Sequence, residues 1–364
     1  MKIKEITSFL ETLAPLSLQE NYDNAGLIVG STDAEVSSVL ICLDSTEVVI
    51  EEAIQKKCSL VITHHPIIFG GIKKLNGKNY VERVVIKAIQ NNIAIYAAHT
   101  NLDNVHIGVN KMICEKLGLK KCKILSPKNN ILRKLVTFCP VDKAEDVRHA
   151  LFIAGAGNIG NYDECSFNAE GFGTFRGNEN TNLYVGKKGK QHHEREFRIE
   201  TIYPFHIEKQ LIDALLEAHP YEEVPYDIYP LENQNTQIGA GMIGEFEKEI
   251  TENAFLKKLK STMKTKMVRH TKLLNRKVKK VAVCGGSGSF LLSDAIRSGA
   301  DAFVSADFRY HEFFDADNRI LISDIGHYES EQFTSQLIYN CLTKKFPTFA
   351  VHLSKINTNP VNYF

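Results

Sequence analysis

The chain has 364 residues, 43% of them apolar and 24% charged, which excludes a disordered or fibrous polypeptide and predicts two or three domains of about 150 residues each. Lys and Arg number 44 against 43 Asp and Glu, so a net charge of +1 excludes a global field toward nucleic acid or an anionic membrane. The eight Cys form no C-x-x-C pair, which argues against a Cys-based zinc site and for reduced thiols in a cytoplasmic protein. No apolar run approaches the roughly 18 residues that span a bilayer.

The opening MKIKEITSFLETLAP reads as a short amphipathic helix rather than a leader. VSSVLICLD (36–44) then predicts a buried strand, STEVVIEEAIQKK (45–57) a helix capped by Ser45, and SLVITHHP (59–66) a second strand. VERVVIKAIQNN (81–92) is helical, and IAIYAAHTNLD (93–103) is a strand running out into a polar loop. Continuous Val/Ile/Leu strands alternating with helices predict βαβ units and a mostly parallel sheet.

From 131 to 237 the texture changes. KLVTFCPVDKAEDVRHALFIAGAG reads strand then helix, a Gly/Asn-rich middle comes next, and EFRIETIYP, HIEKQLIDALLEAHP and VPYDIYPL read strand, helix, strand. Two β-α-β arms around hairpin material predict a ferredoxin-like α+β domain, with LSPKNN and ENQNTQ as its linkers. Glu222 and Glu223 within it read as solvated or at a subunit contact.

The last third returns to the first pattern: strand KVKKVAVCGGSGS (277–289), helix FLLSDAIRSGA (290–300), strand DAFVSAD (301–307), then RILISDIGHYESE (319–331). Residues 36–65 align with 278–307 without a gap, apolar position over apolar position. The predicted fold is therefore α/β: a duplicated βαβ domain with a mostly parallel sheet (1–130 plus 238–364), interrupted by the ferredoxin-like insertion (131–237). Eleven Lys and Arg with no acid fill 257–280, and Phe255, Leu259 and Met263, every fourth residue, make its first part an amphipathic helix. A solvated helix face is the first reading, attraction of an anion the second. Nucleic-acid binding is not expected, because few aromatics interleave.

The chemistry concentrates in T-H-H-P (63–66), His99-x-x-x-Asp103 and His327-x-x-x-Glu331. All come directly after predicted strands, and the crevice beyond strand C-termini is where open parallel sheets bind ligands. Imidazoles and carboxylates converging there suit a pair of divalent ions (Zn, Fe, Mn, Co or Ni) bridged by carboxylate. Gly285, Gly286 and Ser287, in C-G-G-S-G-S, read either as a tight turn capped by Ser287 or Ser289 or as backbone amides holding an anion. Asp307 and His311 read as partners orienting ligands, as an acid/base pair, or as a surface cap; Asp23 and Asn24 are candidates for lining the same cavity.

Y-D-N-A-G-L-I-V-G (22–30), L-V-I-T-H-H-P (60–66), H-T-N-L-D (99–103), C-G-G-S-G-S (284–289), G-A-D-A-F-V-S-A-D (299–307), D-I-G-H-Y-E-S-E (324–331) and N-T-N-P-V-N-Y-F (357–364) together resemble the Nif-three-like family, also labelled GTP cyclohydrolase 1 type 2. The insertion, with A-H-P-Y-E-E-V-P (218–225), resembles a CutA-like or PII-like domain. The resemblance implies a dinuclear metal site of His64, His65, Asp103, His327 and Glu331, with His99 a neighbour, in a toroidal homohexamer. It also implies metal-assisted hydrolysis. The chain departs from the family pattern at Tyr22 and at Ser305-Ala306-Asp307, which bear on pocket shape. The expected function is hydrolysis of a nucleotide-like or phosphorylated small molecule, with His99 or His311 handling the proton. The rival is a non-enzymatic metal-binding regulatory or scaffold protein.

Overall fold

The computed structural model describes residues 1–364, which divide into two compact units: Met1–Pro127 with Thr236–Phe364, and Lys128–Asn235. In chain order the strands are β1 (Gly26–Val29), β2 (Ser38–Cys42), β3 (Leu60–Thr63), β4 (Ala94–Ala97), β5 (Lys120–Pro127), β6 (Leu132–Pro140), β7 (Ser166–Phe175) and β8 (His192–Pro204). They continue with β9 (Tyr226–Pro230), β10 (Gly239–Thr251), β11 (Arg269–His270), β12 (Lys277–Ser287), β13 (Ala302–Ala306), β14 (Leu321–Asp324) and β15 (Ala350–Leu353).

In the first unit β2, β3 and β4 are buried along their whole length, because helices cover their apolar residues. Helices Glu47–Gln55 and Tyr80–Gln90 pack Val49, Ile50, Ala53, Val84, Val85 and Ala88 against Leu40, Val61 and Ile95. The first helix is capped not by Ser45 but by its neighbour Thr46, whose hydroxyl accepts from the Val49 amide (3.4 Å). Ser45 is buried with its hydroxyl unpartnered.

The first sheet runs β1-β4-β3-β2-β15, parallel except for β1. The second runs β11-β14-β13-β12-β10-β5 and is mixed, which corrects the expectation of a mostly parallel sheet there. Only β12, β13 and β14 are parallel neighbours. The chain leaves this unit at the end of β5 and re-enters at the start of β10, so Gly239 faces Pro127 and the two strands pair antiparallel, as hairpin arms do. Val39 pairs with Leu60 and Val281 with Ala302, the same positions matched in the gapless sequence alignment.

Two local expectations change. Residues 100–103 form a short helix (Thr100–Asp103) rather than a polar loop, and 290–300 splits into a 3-10 turn and the helix Leu292–Arg297. The basic stretch is shared among helix Glu252–Thr262, β11 and β12, with Phe255, Leu259 and Met263 fully buried beneath it.

The second unit is a four-stranded antiparallel sheet, β7-β8-β6-β9. Helices Ala144–Ile153 and Glu208–Ala218 bury Val147, Leu151, Leu211 and Leu215 against Leu135, Ile199 and Tyr203. The Gly/Asn-rich stretch contributes β7, a ten-residue strand with no fully buried residue and with Gly171 and Gly173 inside it.

Candidate metal centre

Strands β3, β4 and β14 end in the three motifs, and their side chains meet at one end of the first unit. His64 and His65 lie just past β3, His99 and Asp103 just past β4, and His327 and Glu331 on the short helix after β14. Three groups form, each with its ligand atoms within 4.8 Å of one another: His64, His65 and His99; His65, His327 and Glu331; His64, Asp103 and Glu331.

Each ring is fixed through Nδ1, leaving Nε2 to face the group. His64 Nδ1 donates to the Ala98 carbonyl (2.7 Å), His65 Nδ1 to Asp44 (2.6 Å), His99 Nδ1 to Asp23 (2.7 Å) and His327 Nδ1 to Asp307 (2.6 Å). An imidazole whose second nitrogen is held by an oxygen acceptor is the arrangement that metal-ligating histidines take. His65 and His327 bring their Nε2 atoms within 3.3 Å, and both approach Glu331 Oε2, at 2.9 and 3.1 Å.

Two buried atoms test whether ions fit. His64 Nε2 and Asp103 Oδ1 lie 3.7 Å apart and have no hydrogen-bond partner. An unpaired lone pair beside an unpaired carboxylate oxygen in a buried site is costly, and a divalent ion accepting both removes the cost. Glu331 Oε1 is also 3.7 Å from His64 Nε2. The residues therefore fit a metal group, with Glu331 common to two of the three clusters.

The electrostatics agree. Burial holds His64 below the ordinary imidazole range, so it is neutral with a free lone pair. Burial alone would also depress His65 and His327, but the hydrogen bonds that they donate to Asp44 and Glu331 raise His65 to about 9, and those to Asp307 and Glu331 raise His327 to about 11. Burial and the Glu331 charge push Asp103 well above the carboxylate range; burial acts the same way on Glu331, but the surrounding imidazoles hold it well below. Asp23 is held at about 2, since bonds from His99 and Thr100 outweigh its burial. Ligands must lose these protons to bind a cation. Zinc uptake near pH 7 is therefore expected to release protons and to tighten as pH rises toward 9. Calorimetry in buffers of different ionisation enthalpy measures this, and uptake without proton release contradicts it.

Glycines make room for the key carboxylate. Gly286 sits at φ +62°, and a Cβ there would collide with Glu331 Oε1. Gly285 to Ser287 are not a turn but the end of β12, and the amides of Gly285 and Gly286 are already taken, by Asn110 Oδ1 (3.0 Å) and Ser330 Oγ (2.9 Å), so neither is left to hold an anion. Neither Ser287 nor Ser289 caps the next turn; Ser289 bonds to Glu312, while Ser287 lines the cavity.

Not every candidate reaches the site. His311 is exposed on the turn Tyr310–Ala316, against the rings of Tyr310 (5.2 Å) and Phe314 (6.4 Å), and does not line the cavity. Asn24 points away and bonds to the Ile68 carbonyl (2.7 Å), while Asp23 stands behind His99. Asp307 orients His327 rather than pairing with His311. Sequence reasoning missed Asp44 and Thr358: the Thr358 hydroxyl donates to the second oxygen of Asp44, tying the C-terminal segment to the ring of His65. No local pattern marks either residue, although Thr358 lies in the motif N-T-N-P-V-N-Y-F.

The cavity has a volume of about 960 Å³. Exposed rings of Tyr22, Phe69 and Phe290 stand on its rim, with Phe69 against His99 (5.6 Å). Its lining is strongly acidic, and Arg269, its one guanidinium, is engaged by Asp324 (3.1 Å) and the Phe308 carbonyl (2.9 Å).

A mixed α/β chain with imidazoles and carboxylates gathered at strand ends defines a class of candidate metal-binding proteins. Within it, the chain belongs to the family described as Duf34/NIF3 (NGG1p interacting factor 3), whose model matches residues 1–360. It is 37% identical over 366 residues to the "GTP cyclohydrolase 1 type 2 homolog" of Bacillus subtilis, covering 99% of this chain and 98% of the relative. The crystal structure of a Bacillus cereus protein related to NIF3 is similar, with TM-score 0.88, 38% identity and coverage of 100% and 99% of the two chains. A Staphylococcus aureus crystal structure matches with TM-score 0.79, 31% identity and the same coverage. No helix is long and apolar enough to cross a membrane.

Proposed function

We propose that the chain is a dinuclear metal-dependent hydrolase of a nucleotide-like or phosphorylated small molecule. The observation that carries this reading is Glu331, shared between a cluster with His64 and Asp103 and a cluster with His65 and His327. The first set would hold one ion and the second set another, with Glu331 a ligand common to both. Ions held there supply Lewis acidity and acidify water.

The remaining work falls to the chain itself. Asp44, Asp307 and the Ala98 carbonyl keep the ligand rings in one tautomer and orientation. His99, fixed by Asp23, presents Nε2 for proton transfer beside the metal ligands. The rim aromatics offer faces for a flat heterocycle. An acidic cavity repels an anionic substrate until the ions are present, so substrate binding depends on metal loading. The names of the curated relatives, "GTP cyclohydrolase 1 type 2 homolog", agree with this class of reaction.

The same reading takes the two units as one discontinuous metal-binding domain, 1–130 plus 238–364, and an insertion, 131–237. The equal registers of β2/β3 and β12/β13 support a duplication, and the β-α-β-β-α-β order supports a ferredoxin-like insertion. We infer a homohexamer from the family resemblance and a cytoplasmic protein from the eight free thiols. Turnover tests the function: metal-loaded protein is expected to hydrolyse GTP, another nucleotide or a phosphoester, and Glu331→Ala to lose at least a hundredfold of that rate. Absence of any activity that tracks the metal overturns the hydrolase reading in favour of a regulatory metal protein.

A further inference from the structure

The unit Lys128–Asn235 holds a cavity of its own, of about 670 Å³. Along β8, Phe197, Ile199 and Tyr203 pack under the helices, so the alternate residues Glu196 and Arg198 face the other side of the sheet, where they line this cavity. Three rings stand together in its wall: the Tyr221 centroid is 6.0 Å from Phe175 and 6.1 Å from Tyr184.

The same wall carries a buried carboxylate. Glu196 is 6% exposed and accepts a hydrogen bond from the Tyr221 hydroxyl (2.7 Å). The guanidiniums on its own strand are committed elsewhere, Arg195 to Glu170 and Arg198 to Glu200 (2.9 Å). The sequence makes room for this carboxylate, since a Cβ at Gly173 would collide with Glu196 Oε2. Glu222 and Glu223 add two exposed carboxylates to the lining, against which stands the exposed Arg176. A buried carboxylate without a counter-charge is expensive, and aromatic faces attract cations. Both effects favour a cation.

We infer that this cavity binds a small organic cation with a flat body, such as an arylamidinium or arylammonium, its charge against Glu196 and its body against the aromatic wall that Tyr184 and Tyr221 form together. This site is independent of the metal centre and of the reaction proposed there.

The probe is 4-aminobenzamidine, whose fluorescence rises in an apolar site, titrated into the full chain beside neutral 4-aminobenzamide and anionic 4-aminobenzoate. Saturable binding of the amidine alone is expected, weakened at least tenfold by Glu196→Gln and comparably by Tyr184→Ala. Hydrogen exchange is expected to show protection within 169–185 and 221–225. Equal binding of the amide or the benzoate, protection elsewhere, or unchanged affinity in the folded variants overturns the inference. Tyr184 is 45% exposed, so its variant decides the matter if Glu196→Gln fails to fold.

Discussion

Glu331→Ala is expected to lose both ions and, in chelator-treated protein at pH 6, about 3 kcal/mol of stability, the typical cost of removing one partner from a buried ion pair. Glu331 is 3% exposed and lies against Nε2 of His65 (2.9 Å) and of His327 (3.1 Å). Without it the two Nε2 atoms, 3.3 Å apart, have no carboxylate to share. The sign of the pH dependence comes from His65, whose pKa is raised from 6.5 to about 9 in the fold. A raised imidazole pKa stabilises fully below the unfolded value and ceases to do so as pH climbs through the folded one. The gap between the unmodified protein and the variant is therefore largest near pH 6 and narrows by pH 9.5 without closing, because His327, raised to about 11 beside the same carboxylate, still holds its proton there. Urea unfolding at both pH values checks this, and a gap that widens with pH contradicts it.

The second large effect lies outside the ligands. Asp44→Asn is expected to weaken metal binding by roughly 10–100-fold, the usual penalty for disturbing the group that orients a ligand histidine. Asp44 accepts from His65 Nδ1 through one oxygen and from the Thr358 hydroxyl through the other, so Thr358→Val shifts affinity in the same direction by less. Competition against a chelating dye measures both. Unchanged affinity in Asp44→Asn, with the fold intact, means that His65 does not serve as a ligand.

Asp44 and Thr358 also mark where sequence reading stops. The histidines and carboxylates at the ends of β3, β4 and β14 were legible because continuous apolar runs announce those strands, and residues just past a strand's C-terminus fall in the binding crevice. The Thr358–Asp44 contact joins residues 314 positions apart, and nothing local encodes it. Capping was legible to within a residue: Ser45 and Thr46 both carry a capping hydroxyl, and packing decides between them by burying Ser45. The glycine run 285–287 reads as a turn in the sequence but is the irregular end of β12, with a register shift between Val283 and Ser287; only the folded chain shows the Gly285 and Gly286 amides filled and the Glu331 carboxylate pressed against Gly286. The mixed character of the second sheet escaped for a related reason. β5 and β10 pair because the chain departs and returns at neighbouring points, a constraint that no window of sequence contains.

If His64, His65, Asp103, His327 and Glu331 hold two ions through a shared Glu331, metal content is the property that must show it. Elemental analysis of the purified full chain, alongside the His64→Ala, Glu331→Ala double variant, is the most direct test. Two ions per unmodified chain and none retained by the variant is the predicted result. Fewer than one ion per chain, or a content that the double variant leaves unchanged, contradicts it.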